Sequence, residues 1–300
     1  MNINFTKYSK FYYIVSGLLI IASIVCLSMY GLKFGIEFTG GSLMELTFQD
    51  ARPSDQEIAN ALTEFDLGEV IIQQNAEKGV SLRFKGINEA THAQIISKIN
   101  ALAPAQEAKF EFIGPSIGQE LKNKTELAIV LALLAITIYI TFAFRKVSKP
   151  VPSWKYGVAS LLALSHDVLI PLGIFSLLGK LYNVEITIPI IAALLTILGF
   201  SVHDTIIIFD RIRENILKRG GYSFEDTVNW SLNQTVWRSI STVLTVLFVL
   251  LSIFFFGGKT LKYFSLALIF GIVFGAYSSI FIASPLLVSW LKRQQKARMR

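Results

Sequence analysis

Charge is scarce in this sequence. Of its 300 residues 16% are Asp, Glu, Lys or Arg and 53% are hydrophobic, with a mean hydropathy of +0.54. Soluble globular domains carry about 25% charged residues, so the bulk of the chain points to a membrane protein. Cysteine is nearly absent: Cys26 stands alone in an apolar run, which excludes a disulfide framework. There is no nucleotide-binding motif, so nothing in the sequence itself draws on ATP. The first apolar run lacks a small-x-small cleavage site, which favours a retained signal anchor over a cleaved signal peptide.

What the chain does have is six long apolar runs, at 11–31, 126–144, 156–179, 186–209, 239–257 and 263–290. Each is long enough to cross about 30 Å of hydrocarbon. With the N-terminus inside, the inner side collects Lys7, Lys10, Arg145, Lys146, Lys149, Lys155, Arg211, Arg213, Lys218, Arg219, Arg238, Lys292, Arg293, Lys296, Arg298 and Arg300. Only Lys180, Lys259 and Lys262 fall in the two short outer loops. By the positive-inside rule both termini are cytoplasmic. The net charge of +7 is then mainly a topology signal, which argues against a nucleic-acid partner. Membrane lipid is the surrounding medium.

Three parts follow: residues 1–32 with the first span, an external domain at 33–122, and a five-span membrane domain at 123–300 ending in a cytoplasmic tail. In the external part "SLMELTF", "EVIIQQN", "GVSLRFKG" and "AKFEFIG" alternate as strands, with Asn75–Gly79 as the turn of a hairpin. "SDQEIANALTEF" opens with Ser54 and Glu57 at capping-box spacing, and "NEATHAQIISKINAL" reads as a second helix. The β-α-β-β-α-β order predicts a ferredoxin-like α+β domain. It carries no catalytic constellation, and His92, on a polar helix, reads as a surface residue.

The costly residues lie inside the spans. His166 and Asp167 fall near the middle of the third, while His203 and Asp204 sit about five residues, or roughly 8 Å, before the inner end of the fourth. A carboxylate there costs about 2.5 kcal/mol or more, so Asp204 should face the bundle interior or water. Asp204 shares a helical face with Phe200, Ser201 and Ile208, and His203 with Thr196 and Gly199. Three roles fit: hydrogen-bonded glue between helices, an ion-binding carboxylate, or a metal site assembled from the two His-Asp pairs. Arg238, opening the fifth span, either snorkels to headgroups or acts as a movable counter-ion of Asp204. Gly221–Arg238 reads as a helix lying on the inner headgroups or touching a partner. In the sixth span Ala267, Gly271, Gly275, Ser279 and Ala283 recur every four residues and make one small face for close helix packing. Pro285 is placed to kink that span near its inner end.

The order and spacing of several motifs resemble one family. "FGIEFTGGS" (Phe34–Ser42), with Gly35, Glu37, Gly40 and Gly41, is similar to the glycine-rich signature of the SecF family, membrane subunits of bacterial protein export. "GPSIGQEL", "SHDVLI", "VHDTIIIFDRIREN" and "LNQTVWRSI" are similar to its marks at spans two to five. The chain departs at Glu37, where the family usually has aspartate. The resemblance implies half of an RND-type bundle, not an enzyme, in a bacterial inner membrane. It implies a SecD-like partner, association with a SecYEG channel, and preprotein substrates whose late, ATP-independent passage is driven by an ion gradient. It also implies Asp204 as the relay carboxylate with His203 beside it, Arg238 on the same path, and Asp167 as a lesser member. No cofactor is expected beyond a coupling ion, H⁺ or Na⁺. An independent RND-like small-molecule exporter and a purely structural subunit are the alternatives.

Overall fold

The computed structural model describes residues 3–74, 77–145, 149–218 and 222–299, with the backbone alone at 259 and 260. Asn75 of the turn-like segment, Gly221, and the basic residues Lys146, Arg219 and Arg300 lie outside the described residues. The chain divides into two compact units, Met1–Lys33 with Leu127–Arg300, and Phe34–Glu126.

In the second unit, α2 (Ile36–Thr39) leads into β1 (Gly41–Phe48), α3 (Asp55–Leu62), β2 (Ile71–Gln74), β3 (Gly79–Phe84), α4 (Glu89–Leu102) and β4 (Ala105–Ile113). The element order from β1 to β4 is the one expected. The strands form one sheet in the order β2-β3-β1-β4, and every pairing is antiparallel. Alternation fixes the register: Met44, Leu46 and Phe48 of β1 and Val80, Leu82 and Phe84 of β3 face the core with Ile58, Leu62, Ile95 and Ile99 of the two helices. The capping box is present at α3. Ser54 Oγ and backbone N–H both donate to Glu57 Oε2, at 2.7 and 2.8 Å, and Glu57 N–H returns a bond to Ser54 Oγ.

His92 is not on the surface. Its side chain is only 12% exposed, because its ring stacks on Phe110 of β4 at 4.0 Å and Nε2 lies 3.1 Å from Glu107 Oε1. A histidine on a mostly polar helix still packs when an aromatic stands opposite it.

The glycine-rich signature is a tight clasp. Gly35 precedes the single turn of α2, and Gly40 and Gly41 follow it with φ of 74° and 122°, conformations that glycine adopts without a Cβ penalty. A Cβ on Gly40 would lie 2.7 Å from Pro115 Cα, and one on Gly118 would lie 2.9 Å from Gly40 N. The signature therefore packs against "GPSIGQEL". Glu37 is half-buried. Burial lowers the pKa of Arg83, and the carboxylates of Glu37 and Glu45 push it back up.

Among the described residues six helices are long and apolar enough to cross a membrane: Thr6–Tyr30, Pro115–Ala143, Ser153–Tyr182, Ile188–Lys218, Phe224–Phe256 and Leu261–Arg298. They comprise α1 (Ser9–Tyr30) after a 3-10 turn, α5 (Pro115–Ala143), α6 (Ser153–Tyr182), α7 (Ile188–Lys218), α8 (Phe224–Phe256) and α9 (Lys259–Ser278). The last continues through a π segment, Ser279–Ala283, into α10 (Ser284–Arg298). α5 starts eleven residues before the expected span, at Pro115, since proline suits a first helical position and nothing after it breaks the helix. Pro285 follows the π segment, where its missing N–H leaves a wider turn in place of a simple kink.

Gly221–Arg238 is not a separate headgroup helix. The described part is the first half of α8, which runs unbroken for 33 residues. Ser223 caps it by accepting from Asp226 N–H. Phe224, Thr227, Val228, Ser231, Leu232, Thr235 and Ser239 are buried at helical spacing, so the packed stripe is made largely of hydroxyl residues. Ser231 and Thr235 donate to carbonyls four residues back, which lets them pack without an outside partner. Asn229 and Asn233 hold the N-terminal segment: Thr6 N–H donates to Asn229 Oδ1, and Asn233 bonds both the N–H and the carbonyl of Ile3.

The small face of α9 packs against α7 of the same chain. A Cβ on Gly271 would fall 2.0 Å from Ile197 Cδ1, and one on Gly275 would fall 3.1 Å from Ser201 Cβ.

Two expectations follow. Gly271→Ala lowers the thermal stability of the purified protein by about 1–3 kcal/mol, and adding Ile197→Ala recovers part of the loss; an additive loss would rule out the steric account. Hydrogen bonds from Ser54 hold the Glu57 carboxyl below its ordinary value. The capping contribution is therefore present above that ordinary value and is lost as pH falls through the depressed one. Denaturation of Ser54→Ala against the parent protein should show a deficit at neutral pH that shrinks on acidification.

Candidate functional site

The polar centre of the membrane unit is built by α6, α7 and the last helix. The neighbouring residues Leu164, Val168, Leu198, Val202, Ile208 and Ile280 form apolar core around it. Asp167 is fully buried, and its carboxylate is saturated. Oδ1 lies 2.9 Å from His166 Nδ1. Oδ2 accepts the Ser201 hydroxyl of α7 at 2.5 Å and the Ser278 hydroxyl of α9 at 2.8 Å. One carboxylate thus joins three helices. A second hydroxyl pair lies beside it, Thr205 of α7 with Ser279 at 2.8 Å, and Ser279 also donates to the Ser201 carbonyl at 3.4 Å.

Asp204 lies on α7 between these two anchors, three residues after Ser201 and one before Thr205. It is 2% exposed, and its Oδ2 is buried with no hydrogen-bond partner among the described residues. The two aspartates are therefore opposites. Asp167 has its bonds; Asp204 has a bare oxygen, an arrangement costly for a fixed negative charge and suited to a group that takes up a cation.

His203 does not join this cluster. It is exposed on the other side of α7, in a stripe with Ala192, Thr196 and Gly199. Adjacent helical residues point about 100° apart, so burying Asp204 turns His203 out. Arg238 is exposed on α8 and forms no ion pair with Asp204 in this arrangement. Among the described residues no three His, Cys, Asp or Glu side chains come together as a metal set, so nothing brings the two His-Asp pairs onto one ion. Sequence reasoning missed Ser201, Ser278 and Thr205 as site residues. The available signal was hydroxyls one turn apart on the faces that carry the aspartate and the glycines.

A polytopic helical protein with a buried acid centre and a small antiparallel α+β unit is the class this architecture defines. Family models assign it further. Residues 94–293 match "Protein export membrane protein SecD/SecF, C-terminal", and residues 27–51 match the "SecD/SecF GG Motif". The protein translocase subunit SecF of Thermobaculum terrenum is 44% identical, over 96% of this chain and 94% of that one. The SecF of Rickettsia prowazekii is 34% identical, over 98% and 93%. The crystal structure of SecDF, a translocon-associated membrane protein of Thermus thermophilus, superposes with a TM-score of 0.84 at 33% identity. That match covers 97% of this chain and 39% of the SecDF chain. SecDF in a super-membrane-facing form gives 0.72 at 32% identity, covering 100% and 40%. The chain belongs to the SecD/SecF family, as a SecF-type multi-pass membrane component of protein export, and spans about two fifths of the solved SecDF chains.

Because Ser201 and Ser278 serve the same oxygen, their removal should not be additive. Ser201→Ala and Ser278→Ala each cost about 1–3 kcal/mol by leaving a buried acceptor short of a donor. The double variant should depart from the sum in a double-mutant cycle of thermal stability; strict additivity would mean that the two bonds are independent.

Proposed function

We propose that this chain is an ion-gradient-coupled accessory subunit of the Sec preprotein translocase. It works with a SecD-like partner and a SecYEG channel to promote late, ATP-independent passage and release of preproteins on the outer side of a bacterial inner membrane. The observation that carries the reading is the buried, unpartnered Oδ2 of Asp204. The structural-subunit alternative needs the aspartate to act as glue, and that work falls to Asp167, which takes all three donors. An ion, H⁺ or Na⁺, binding at Asp204 removes the cost of an isolated charge, and its departure restores it. Each elementary charge moved down the membrane potential yields about 2.3 kcal/mol per 100 mV, so several ions can drive a conformational step.

A partner seated on this chain is supported by the exposed stripe of α7. Ala192, Thr196, Gly199 and His203 form a small and polar surface, unlike the bulky apolar residues exposed on α1 and α5. That this chain covers only 39% and 40% of the two SecDF chains supports a second half of SecD type over an independent exporter. Arg238, exposed on α8, is the counter-ion that approaches the path in another conformation, and Asp167 lies on that path as its fixed acceptor. The basic residues set both termini on the cytoplasmic side.

The test is release of a trapped preprotein from the outer face of membranes under an imposed ion gradient, with variants matched for expression and partner co-purification. Asp204→Asn should reduce release to the gradient-free level, and Arg238→Met should impair it. Release at the wild-type rate in Asp204→Asn would return that residue to helix packing and defeat the coupled reading.

A further inference from the structure

His166 is buried where α6 meets α9, and its two ring nitrogens have different surroundings. Nδ1 lies 2.9 Å from Asp167 Oδ1. Nε2 is buried without a hydrogen-bond partner among the described residues. Asp167 already receives hydroxyls from Ser201 and Ser278 on its other oxygen. Taking Oδ1 as an acceptor as well puts the ring proton on Nδ1. That tautomer leaves the Nε2 lone pair as a bare base inside the bundle. A histidine used only for packing gains nothing from this arrangement, because an unmet buried polar atom is a cost.

We infer that His166 is a second proton-holding group of the relay, binding its proton at Nε2 with Asp167 as the fixed counter-charge. The inference rests on the ion-coupled reading given above. In the loading step a proton from water on the outer side forms an N–H bond at Nε2. The neutral ring becomes an imidazolium, and the pair with ionised Asp167 goes from one negative charge to none. Unloading breaks that bond and returns the proton to water on the inner side. The Tyr277 ring stacks on His166 at 5.9 Å with an interplanar angle of 20°, and an aromatic face favours a cation beside it.

The titratable groups around the ring come from several elements. Asp167 is on its own helix and Tyr277 is on α9. α1 brings Tyr12, whose carbonyl accepts the Tyr277 hydroxyl, and Ser16, which donates to that hydroxyl at 3.4 Å. α7 faces the pair with the neutral Ser201, and Asp204 lies a turn further along. The hydroxyl that bonds Asp167 is therefore on the same helix, three residues from the bare carboxylate, so loading at one group bears on the helix that positions the other.

The test uses the whole chain, ¹⁵N-labelled at histidine, combined with unlabelled SecD-like partner in lipid vesicles. Solid-state NMR at stepped pH follows the three ring systems. His92→Gln and His203→Gln assign the other two, so His166 can be read even where His166→Gln does not fold. The His166 Nε2 signal should show both the unprotonated and the protonated type over the pH series. His166→Gln, at unchanged co-purification, should lose gradient-driven release at least about tenfold, the size of effect typical of losing a proton-transfer group. An Nε2 that keeps one form at every pH step overturns the inference. Release lost in Asp204→Asn but kept in His166→Gln overturns it while leaving the coupled reading in place. Release kept in Asp204→Asn overturns both.

Discussion

A single carboxylate organises the membrane unit. Asp167 is buried among apolar neighbours, where an unmet charge would be prohibitive, and the chain meets it with a ring nitrogen from α6 and hydroxyls from α7 and α9. Those bonds set the rotation of α7. With Ser201 turned toward Asp167 and Thr205 toward Ser279, Asp204 between them has to face inward and His203 outward. The small face of α9 makes the approach possible. Gly271 and Gly275 leave no side chain between that helix and Ile197 or Ser201, and only at such a separation can the Ser278 hydroxyl reach a carboxylate rooted on α6. Close packing and polar bonding are one device here, each useless without the other.

Much of the architecture was legible because it follows from single-element rules. Six apolar runs, the alternating strands, the Ser54–Glu57 cap and the four-residue spacing in the last span are local patterns, and the structure carries each of them. The element order around the sheet was legible too. What the local patterns could not give was pairing. The hydroxyls that bond Asp167 come from 34 and 111 residues away in sequence, so no local pattern announces them. His92 packs on Phe110, and nothing in its own helix announces that partner. The first half of α8 escapes an apolar-stripe pattern for another reason. Its buried stripe includes Thr227, Ser231, Thr235 and Ser239; the first three bond carbonyls four residues back, and Ser239 Oγ has no partner among the described residues.

In the α+β unit the glycine-rich motif is structural in its geometry while sitting beside the membrane unit in sequence. Gly40 and Gly41 adopt backbone angles that a side chain would strain, and Gly40 abuts the proline that starts α5. Glu37, one methylene longer than the usual aspartate, still brings its carboxylate close enough to act on Arg83. The departure from the family pattern therefore preserves charge balance within this unit.

The π segment at Ser279–Ala283 has a mechanical meaning of its own. A π turn is an α-helix carrying one surplus residue, and that surplus can migrate along a helix without unfolding it. Moving it past a given residue turns that residue by about 100° and slides it by about 1.5 Å along the axis. Ser279, which bonds Thr205, lies at the first position of this segment, and Ser278 immediately before it. The last helix thus carries its surplus residue at the level of the acid centre, next to the hydroxyls that bond α6 and α7.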